Sequence, residues 1–176
     1  MYIVYNILIL IVLVFFVLPY YTYRLFTEKG FALRFKEQVF GNIADEEIAK
    51  VMRKDCIWIH GASVGEIVAT RPLVKQIRKE MPDRPVLVSA FTVGGYNMAK
   101  QIIPEADAII YFPLDLPFVA ESLVKRIHPG VFMPVETELW PNFLRAIRER
   151  HIPVMMVNGR ISEKSVKNYR YLYGIW

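Results

Sequence analysis

An uncharged, apolar run near the amino terminus constrains the fold of this chain most strongly. Residues Tyr2 to Tyr23 contain no charged side chain, are dominated by Ile, Leu, Val and Phe, and have Asn6 as their main polar interruption. A helix needs about 20 apolar residues to cross the hydrocarbon of a bilayer. Three tyrosines at the end of the run suit the membrane interface. The run therefore predicts a transmembrane anchor over residues 1–23.

A cleaved signal peptide is the main alternative to an anchor. Such a peptide needs a basic segment before the apolar run and a small-residue cleavage site after it, and neither is found here. Basic residues follow the run instead, at Arg24, Lys29, Arg34 and Lys36. The positive-inside tendency then predicts a single-pass membrane protein, with everything after Arg24 facing the cytoplasm.

The composition of the rest of the chain suits one globular domain. The 176 residues carry a net charge of +5, a modest excess that fits an anionic membrane surface or a phosphorylated ligand and does not by itself indicate nucleic acid. The only cysteine, Cys56, can form neither an internal disulfide nor a paired zinc site, and we interpret it as structural.

Two segments follow the anchor. Residues 24–54 mix charges with phenylalanines, as expected either of a helical connector lying on the headgroups or of one packed against the next domain. Residues 55–176 alternate short β-rich runs with helical patterns, which predicts an α/β domain with a Rossmann-like parallel sheet. The predicted strands are Ile57–His60, Val86–Phe91, Ala108–Phe112, Val131–Val135 and Val154–Val157.

The predicted crossover helices show a helical apolar period. One stripe comprises Val119, Leu123 and Ile127, and a second comprises Trp140, Phe143, Leu144 and Ile147. Pro72 removes a hydrogen bond inside the helix that follows the first strand, so we expect that helix to be kinked or split there.

Parallel sheets bind ligands beyond the carboxyl ends of their strands, which directs attention to the residues after each strand. The first such loop, Gly61 to Glu66, lacks the glycine fingerprint of a dinucleotide site, which disfavours an oxidoreductase. The other loops are Thr92-Val93-Gly94-Gly95, Pro113-Leu114-Asp115, Glu136-Thr137-Glu138 and Asn158-Gly159-Arg160.

Three carboxylates stand out at these strand ends. Glu66 lies in the first turn of a predicted helix, where it could simply favour the helix dipole or could act as a general base. Glu136 and Glu138 could belong to a metal site, cap the helix predicted over Leu139–Arg150, or orient a substrate. Successive residues of an extended chain point to opposite sides, so we expect one of the two to face the crevice and the other to cap the helix.

Several ordered motifs resemble the 3-deoxy-D-manno-octulosonic acid (Kdo) transferase family, in its amino-terminal half. They are Trp58-Ile59-His60-Gly61-Ala62-Ser63-Val64-Gly65-Glu66, Tyr111-Phe112-Pro113-Leu114-Asp115-Leu116-Pro117, Val135-Glu136-Thr137-Glu138-Leu139-Trp140-Pro141-Asn142 and Asn158-Gly159-Arg160-Ile161-Ser162 with Ser165 and Tyr169. The resemblance covers nearly the whole chain after about Arg34 and includes the amino-terminal anchor.

The resemblance implies a GT-B fold, with a lipid acceptor on the first Rossmann-like domain and cytidine monophosphate-Kdo (CMP-Kdo) on the second. It implies inverting transfer of Kdo to a lipid A precursor in lipopolysaccharide core biosynthesis, without a metal, a cofactor or nucleic acid. Glu66 matches the family's proton acceptor and Glu136 its transition-state stabiliser. The residues expected to contact the acceptor are Ser63, Gly65, Thr92, Gly95, Glu138, Asn158 and Arg160.

These 176 residues correspond to the acceptor-binding half alone, so the isolated chain is expected to be incomplete and inactive. The alternative is a non-catalytic, membrane-bound module that binds a lipid or phosphosugar. Arg160, Lys164 and Lys167 would either meet the phosphates of the acceptor or form a solvated basic face.

Overall fold

A four-stranded parallel sheet organises the protein, whose computed structural model describes residues 2–28, 31–52 and 55–159. The strands are β1 (Ile57–Gly61), β2 (Val86–Ala90), β3 (Ala108–Tyr111) and β4 (Val131–Pro134), in the order β3-β2-β1-β4. The helices are α1 (Tyr2–Val12), α2 (Leu18–Thr27), α3 (Phe31–Phe40), α4 (Asp45–Ala49), α5 (Val64–Glu80), α6 (Val93–Ile102), α7 (Pro117–Ile127) and α8 (Pro141–Arg148), and a π-helical turn, Leu13–Val17, joins α1 to α2.

Helices cover both faces of the sheet, so β1 and β2 are buried along their whole length. Side chains alternate between two cores: Trp58 packs with Phe132 and Phe143 on one face, and Ile59 joins Ile67 on the other. The predicted α/β architecture is confirmed, and the first four strands end within one residue of the predicted positions.

The predicted fifth strand, Val154–Val157, is wrong as a regular strand. It touches β4 only through isolated parallel bridges, from Val154 to Phe132 and from Val157 to Val135. Pro134, which lies between the bridged residues Phe132 and Val135, explains the interruption. Pro134 accepts a hydrogen bond from the N–H of Val157 at 2.9 Å but has no N–H of its own to continue the ladder.

Of the two outcomes predicted at Pro72, a kink or a split, the split is wrong, because α5 runs unbroken from Val64 to Glu80. Pro72 lies on the exposed side of this helix, so the carbonyl of Val68 that it leaves without a partner is near solvent, and Val68 itself is 48% exposed. The predicted apolar stripe of α7 is buried as expected, at Val119, Leu123 and Ile127.

Helix α3 in the connector is packed against the domain. The carboxylate of Glu37 accepts the N–H of Tyr111 at 2.7 Å on the open edge of β3. The side-chain amide of Gln38 donates to the carbonyls of Phe91 at 2.9 Å and Phe112 at 3.2 Å. These contacts fix α3 at the carboxyl ends of β2 and β3. The division of the chain at residues 23 and 54 stays a prediction.

The amino-terminal helix, which we define as Tyr2–Thr27, is long and apolar enough to cross a membrane. It has 26 residues, its most apolar stretch has a mean hydropathy of 2.7, and no residue of that stretch is buried against the rest of the protein.

Candidate functional site

The loops after β1 and β2 are fastened together at the carboxyl edge of the sheet. The carbonyl of Ala62 accepts the N–H of Phe91 at 3.2 Å and both the N–H and the hydroxyl of Thr92 at 3.0 Å. The Thr92 side chain also caps α6 by accepting the N–H of Gly95 at 3.1 Å. A Cβ on Gly95 would lie 3.2 Å from the Ala62 carbonyl oxygen, a tight contact that favours glycine at this close approach.

Glu66 is held in a fixed orientation at the start of α5. One carboxylate oxygen accepts the N–H of Ala62 at 2.7 Å, and the other accepts the hydroxyl of Ser63 at 2.6 Å. These bonds resemble a capping box and give Glu66 a structural role, yet each oxygen retains a lone pair for a further partner. Beside it, a Cβ on Gly65 would meet nothing within 4 Å, so the first turn of the helix borders open space.

Glu138 lies close to the other two acids. Burial raises the pKa of the Glu138 carboxyl, and the negative charges of Glu66 and Glu136 raise this pKa further. The structure therefore brings the three predicted carboxylates to one edge of the sheet. A group whose pKa is raised by burial and by like charges is a candidate for proton transfer, so Glu138 is a candidate on that ground.

His60, inside β1, contacts this acidic edge through Trp140 and Glu138. The indole N–H of Trp140 donates to Nε2 of His60 at 3.2 Å, so Nε2 is the acceptor and Nδ1 carries the proton toward the carbonyl of Ser89 at 3.3 Å. Complete burial lowers the pKa of His60 to about 3. The imidazole is thus neutral at pH 7, and its contact with a Glu138 oxygen at 4.0 Å is not an ion pair.

Two residues at this edge have an unusual backbone. Glu136 has φ 58° and Asn158 has φ 52°, both in the left-handed region. Asparagine tolerates this region much better than glutamate does, so the backbone strain lies at Glu136. The N–H of Glu136 donates to the carbonyl of Val157 at 2.8 Å, which places the two residues side by side. Strain of this kind concentrates at functional sites and supports a functional role for Glu136.

The prediction that Glu136 or Glu138 caps the following helix is wrong. Helix α8 starts at Pro141 with Trp140 as its N-cap, and no side-chain cap bond forms at that residue. The carboxylate of Asp115 caps the helix instead, by accepting the N–H of Asn142 at 2.9 Å and the N–H of Phe143 at 2.8 Å. Proline at the first helical position starts the helix two residues later than predicted.

Sequence reasoning missed the roles of His60 and Asp115. A buried histidine inside an apolar strand and an aspartate that caps a distant helix leave no local signal, since their partners are remote in sequence. Arg160, which was predicted to contact an acceptor, lies outside the described residues, as do Lys164 and Lys167.

The fold and this edge define a class: an α/β protein with a Rossmann-like parallel sheet and a group of carboxylates beyond the carboxyl ends of its strands. Within the described ranges, no three His, Cys, Asp or Glu side chains are grouped so that they could hold a metal ion. A family model for 3-deoxy-D-manno-octulosonic-acid transferase (kdotransferase) matches residues 34–176. The chain therefore belongs to the Kdo transferase family.

Curated relatives agree with this family. A 3-deoxy-D-manno-octulosonic acid transferase from Haemophilus influenzae is 36% identical over 64% of this chain and 26% of its own length. A bifunctional glycosyltransferase/methyltransferase from Fusobacterium nucleatum is 34% identical over 82% of this chain and 21% of its own length. A 3-deoxy-D-manno-octulosonic acid transferase from Chlamydia muridarum is 32% identical over 66% of this chain and 27% of its own length. The chain thus spans about a quarter of the length of these relatives.

Among solved structures, a UDP-N-acetylglucosamine 2-epimerase aligns with a TM-score of 0.47 and 17% identity, over 66% of this chain and 35% of the other.

Proposed function

We propose that this chain supplies the acceptor-binding half of an inverting glycosyltransferase that moves Kdo from CMP-Kdo to a lipid A precursor in lipopolysaccharide core biosynthesis. Membership of the family supports Kdo transfer in general. The observation that carries the site assignment is the geometry of Glu66, whose carboxylate is fixed by Ala62 and Ser63 next to the open space at Gly65.

In this scheme Glu66 is the general base. A hydroxyl of the acceptor sugar loses its proton to Glu66 as its oxygen bonds to the anomeric carbon of Kdo, and the bond to cytidine monophosphate breaks with its electron pair. Glu136, on its strained backbone at the same edge, stabilises the charge that develops in the transition state. The scheme uses no metal ion and no cofactor.

We propose that the acceptor contacts the same edge. Gly65 leaves room for a sugar ring, and Glu138 and Asn158 are the proposed polar partners at the same edge. Ser63, Thr92 and Gly95 already bond within the protein, so they shape the site more than they offer free groups. Arg160 completes the proposed set as a partner for phosphate.

The donor would bind a second Rossmann-like domain, in a GT-B arrangement. Because the curated relatives are about four times as long as the matched part, residues 1–176 alone are expected to bind the phosphorylated lipid without transferring Kdo. We propose that the domain works at the cytoplasmic face of the inner membrane, where the basic residues after the apolar helix would meet the anionic headgroups of that leaflet.

The test joins residues 1–176 to a donor domain from the same family and compares Glu66→Gln with the parent. Loss of the proton acceptor should lower kcat by roughly 100-fold or more while acceptor affinity changes little. Glu80→Gln, at the opposite end of the same helix, is the matched control and should keep full activity. Near-normal turnover by Glu66→Gln would return Glu66 to a purely structural role at the helix start. A correctly folded fusion that binds the lipid acceptor but transfers no Kdo would instead favour a non-catalytic binding module.

A further inference from the structure

The first turns of the amino-terminal helix are hydrogen-bonded to the α/β domain. The hydroxyl of Tyr5 donates to Asp115 at 2.7 Å, and the side-chain amide of Asn142 donates to Asn6 at 2.8 Å. The hydroxyl of Tyr2 also donates to Asn142. Asn6, the main polar interruption of the apolar run, therefore has a partner in the domain.

Charged groups of the domain surround this end of the helix. The guanidinium carbon of Arg145 lies 4.7 Å from the centre of the Tyr2 ring, and the Arg145 side chain is 52% exposed. Tyr2 also borders a cavity of about 160 Å³ that is lined by Glu121 and Glu149. This end of the helix is consequently at a polar, hydrated face of the domain.

The other end of the same helix is attached as well. Tyr21 is only 4% exposed, its hydroxyl donates to Gln38, and its ring packs against Phe31 with centroids 5.1 Å apart. Gln38 is in turn bonded to the carbonyls at the ends of β2 and β3. Tyr5 and Tyr21 are separated by about 24 Å of helix at 1.5 Å per residue, so the helix runs alongside the domain over that distance.

Between these attachments the outer side of the helix is apolar and exposed. Phe15 and Phe16 are each 69% exposed, and Ile3 is 75% exposed. The exposed apolar surface continues to Phe26, at 87%, near the end of the helix, and Phe40 at the end of α3 is 61% exposed. Exposed apolar side chains along this length of helix would be costly in water. They suit the hydrocarbon of a lipid bilayer instead.

A perpendicular crossing conflicts with these contacts. A crossing helix must project through about 30 Å of hydrocarbon, away from a domain that stays in water. Here both ends are held by one domain, so a crossing would carry Arg145, Glu149 and their neighbours into or through the bilayer, at a high cost for each charge.

We infer that the amino-terminal helix lies in the plane of the membrane as part of the surface of the domain, with its outer apolar side immersed in lipid and both of its ends on the side of the domain. The partner of this surface is the lipid bilayer. The helix would lie on the membrane in this way whether or not the chain takes part in Kdo transfer.

The first test is a cross-link across the contact, made in the full chain in membranes. Asn6→Cys with Asn142→Cys, in a Cys56→Ala background, should join under mild oxidation and shift the mobility of the chain on a non-reducing gel. The control pair is Val14→Cys with Asn142→Cys, whose helix position is about 12 Å further along and exposed, and it should not join. Absence of the Asn6 cross-link in membranes would overturn the docking of the helix.

The second test asks on which side the amino terminus lies and does not depend on substitutions in the contact. A short, uncharged tag containing one cysteine is placed before Met1, and a membrane-impermeant maleimide is added to spheroplasts or to inverted vesicles. We expect labelling only in inverted vesicles, with buried Cys56 labelled only after unfolding. Labelling in intact spheroplasts would show that the helix crosses, and recovery of the chain in the soluble fraction would show that lipid does not cover the apolar side.

Discussion

The carboxylate of Asp115 accepts the backbone N–H of Asn142 at 2.9 Å, so the loop after β3 caps a helix that starts more than twenty residues later. The same carboxylate also accepts the N–H of Phe143 at 2.8 Å. One side chain thereby satisfies two of the amides that a helix start leaves free. It also connects α8, which follows the acidic edge, to the amino-terminal helix through Tyr5.

Asp115→Ala is expected to lower the free energy of unfolding by roughly 1 to 3 kcal/mol, because the cap is lost and buried donors remain without a partner. Urea unfolding of the full chain in detergent, followed by tryptophan fluorescence, measures this change. Glu121→Ala is the control, since Glu121 makes only a long contact of 3.5 Å with Arg150. Equal stability of the two variants would contradict the capping role.

The fold was predictable wherever a local pattern decides the structure. β-rich runs bounded by prolines and glycines located β1 to β4, because both faces of this sheet are buried and select continuous apolar residues. The failures involve partners that a local pattern does not reveal. Pro134 interrupts the pairing of Val154–Val157 from the neighbouring strand, and Asp115 takes the capping role that was predicted for Glu136 or Glu138.

The site was predictable to the extent that parallel strands bring their carboxyl ends together. That rule placed Glu66, Glu136 and Glu138 at one edge, as the effect of the Glu66 and Glu136 charges on the pKa of Glu138 shows. It gave no indication of His60, which lies inside β1 and is connected to this edge by the hydrogen bond that its Nε2 accepts from Trp140. Nor does it indicate the raised pKa of Glu138, which follows from burial.

Glu136 and Glu138 should differ in a protein that joins residues 1–176 to a complete donor domain. Glu136→Gln is expected to reduce kcat strongly, since a carboxylate near developing charge helps most in the transition state, whereas Glu138→Gln should be mild. Glu136→Gly separates charge from backbone strain. It should lose activity like Glu136→Gln while gaining stability, because glycine tolerates the left-handed conformation. Equal activities of the Glu136 and Glu138 variants would refute this division of roles.

The apolar helix should hold the full chain on membranes. We expect the chain to fractionate with membranes and to resist extraction by high salt, because its exposed apolar side chains bind lipid rather than charged headgroups alone. Deletion of residues 1–23 should release much of the protein, and sedimentation followed by immunoblotting measures the fraction released. Full-length chain in the soluble fraction would mean that the apolar run is covered by protein.

Glu37→Gln should stabilise the protein at alkaline pH. Burial raises the pKa of Glu37 from 4.5 to about 7, although the Tyr111 N–H and Lys100 oppose the shift. Between these values the folded protein keeps a proton that the unfolded chain loses, so stability falls as the pH rises from about 4.5 to about 7. A glutamine can still accept the Tyr111 N–H without burying a charge. We expect a gain of roughly 1 to 3 kcal/mol at pH 8 and little change at pH 4.5, with Glu46→Gln as the exposed control.

His60 should have the opposite effect on the acid side. Its pKa is lowered from 6.5 to about 3 by complete burial, so the unfolded chain binds a proton at mildly acidic pH while the folded protein does not. The contribution of His60 to stability is therefore fully present above about pH 6.5 and is lost as the pH falls toward 3, at up to about 1.4 kcal/mol per pH unit.

This slope is measured in a Glu37→Gln background, because Glu37 titrates in an overlapping range with the opposite sign. Urea unfolding at a series of pH values from 7 to 4 should show a smaller loss of stability for His60→Asn than for its parent, whatever the absolute stability of the variant. His128→Asn replaces an exposed histidine at a left-handed position that asparagine tolerates, and it should keep the parental slope. If the free energy of unfolding depends on pH in the same way for His60→Asn and its parent, His60 takes up its proton in the folded protein. The neutral imidazole bonded to Trp140 would then not be the form present at mildly acidic pH.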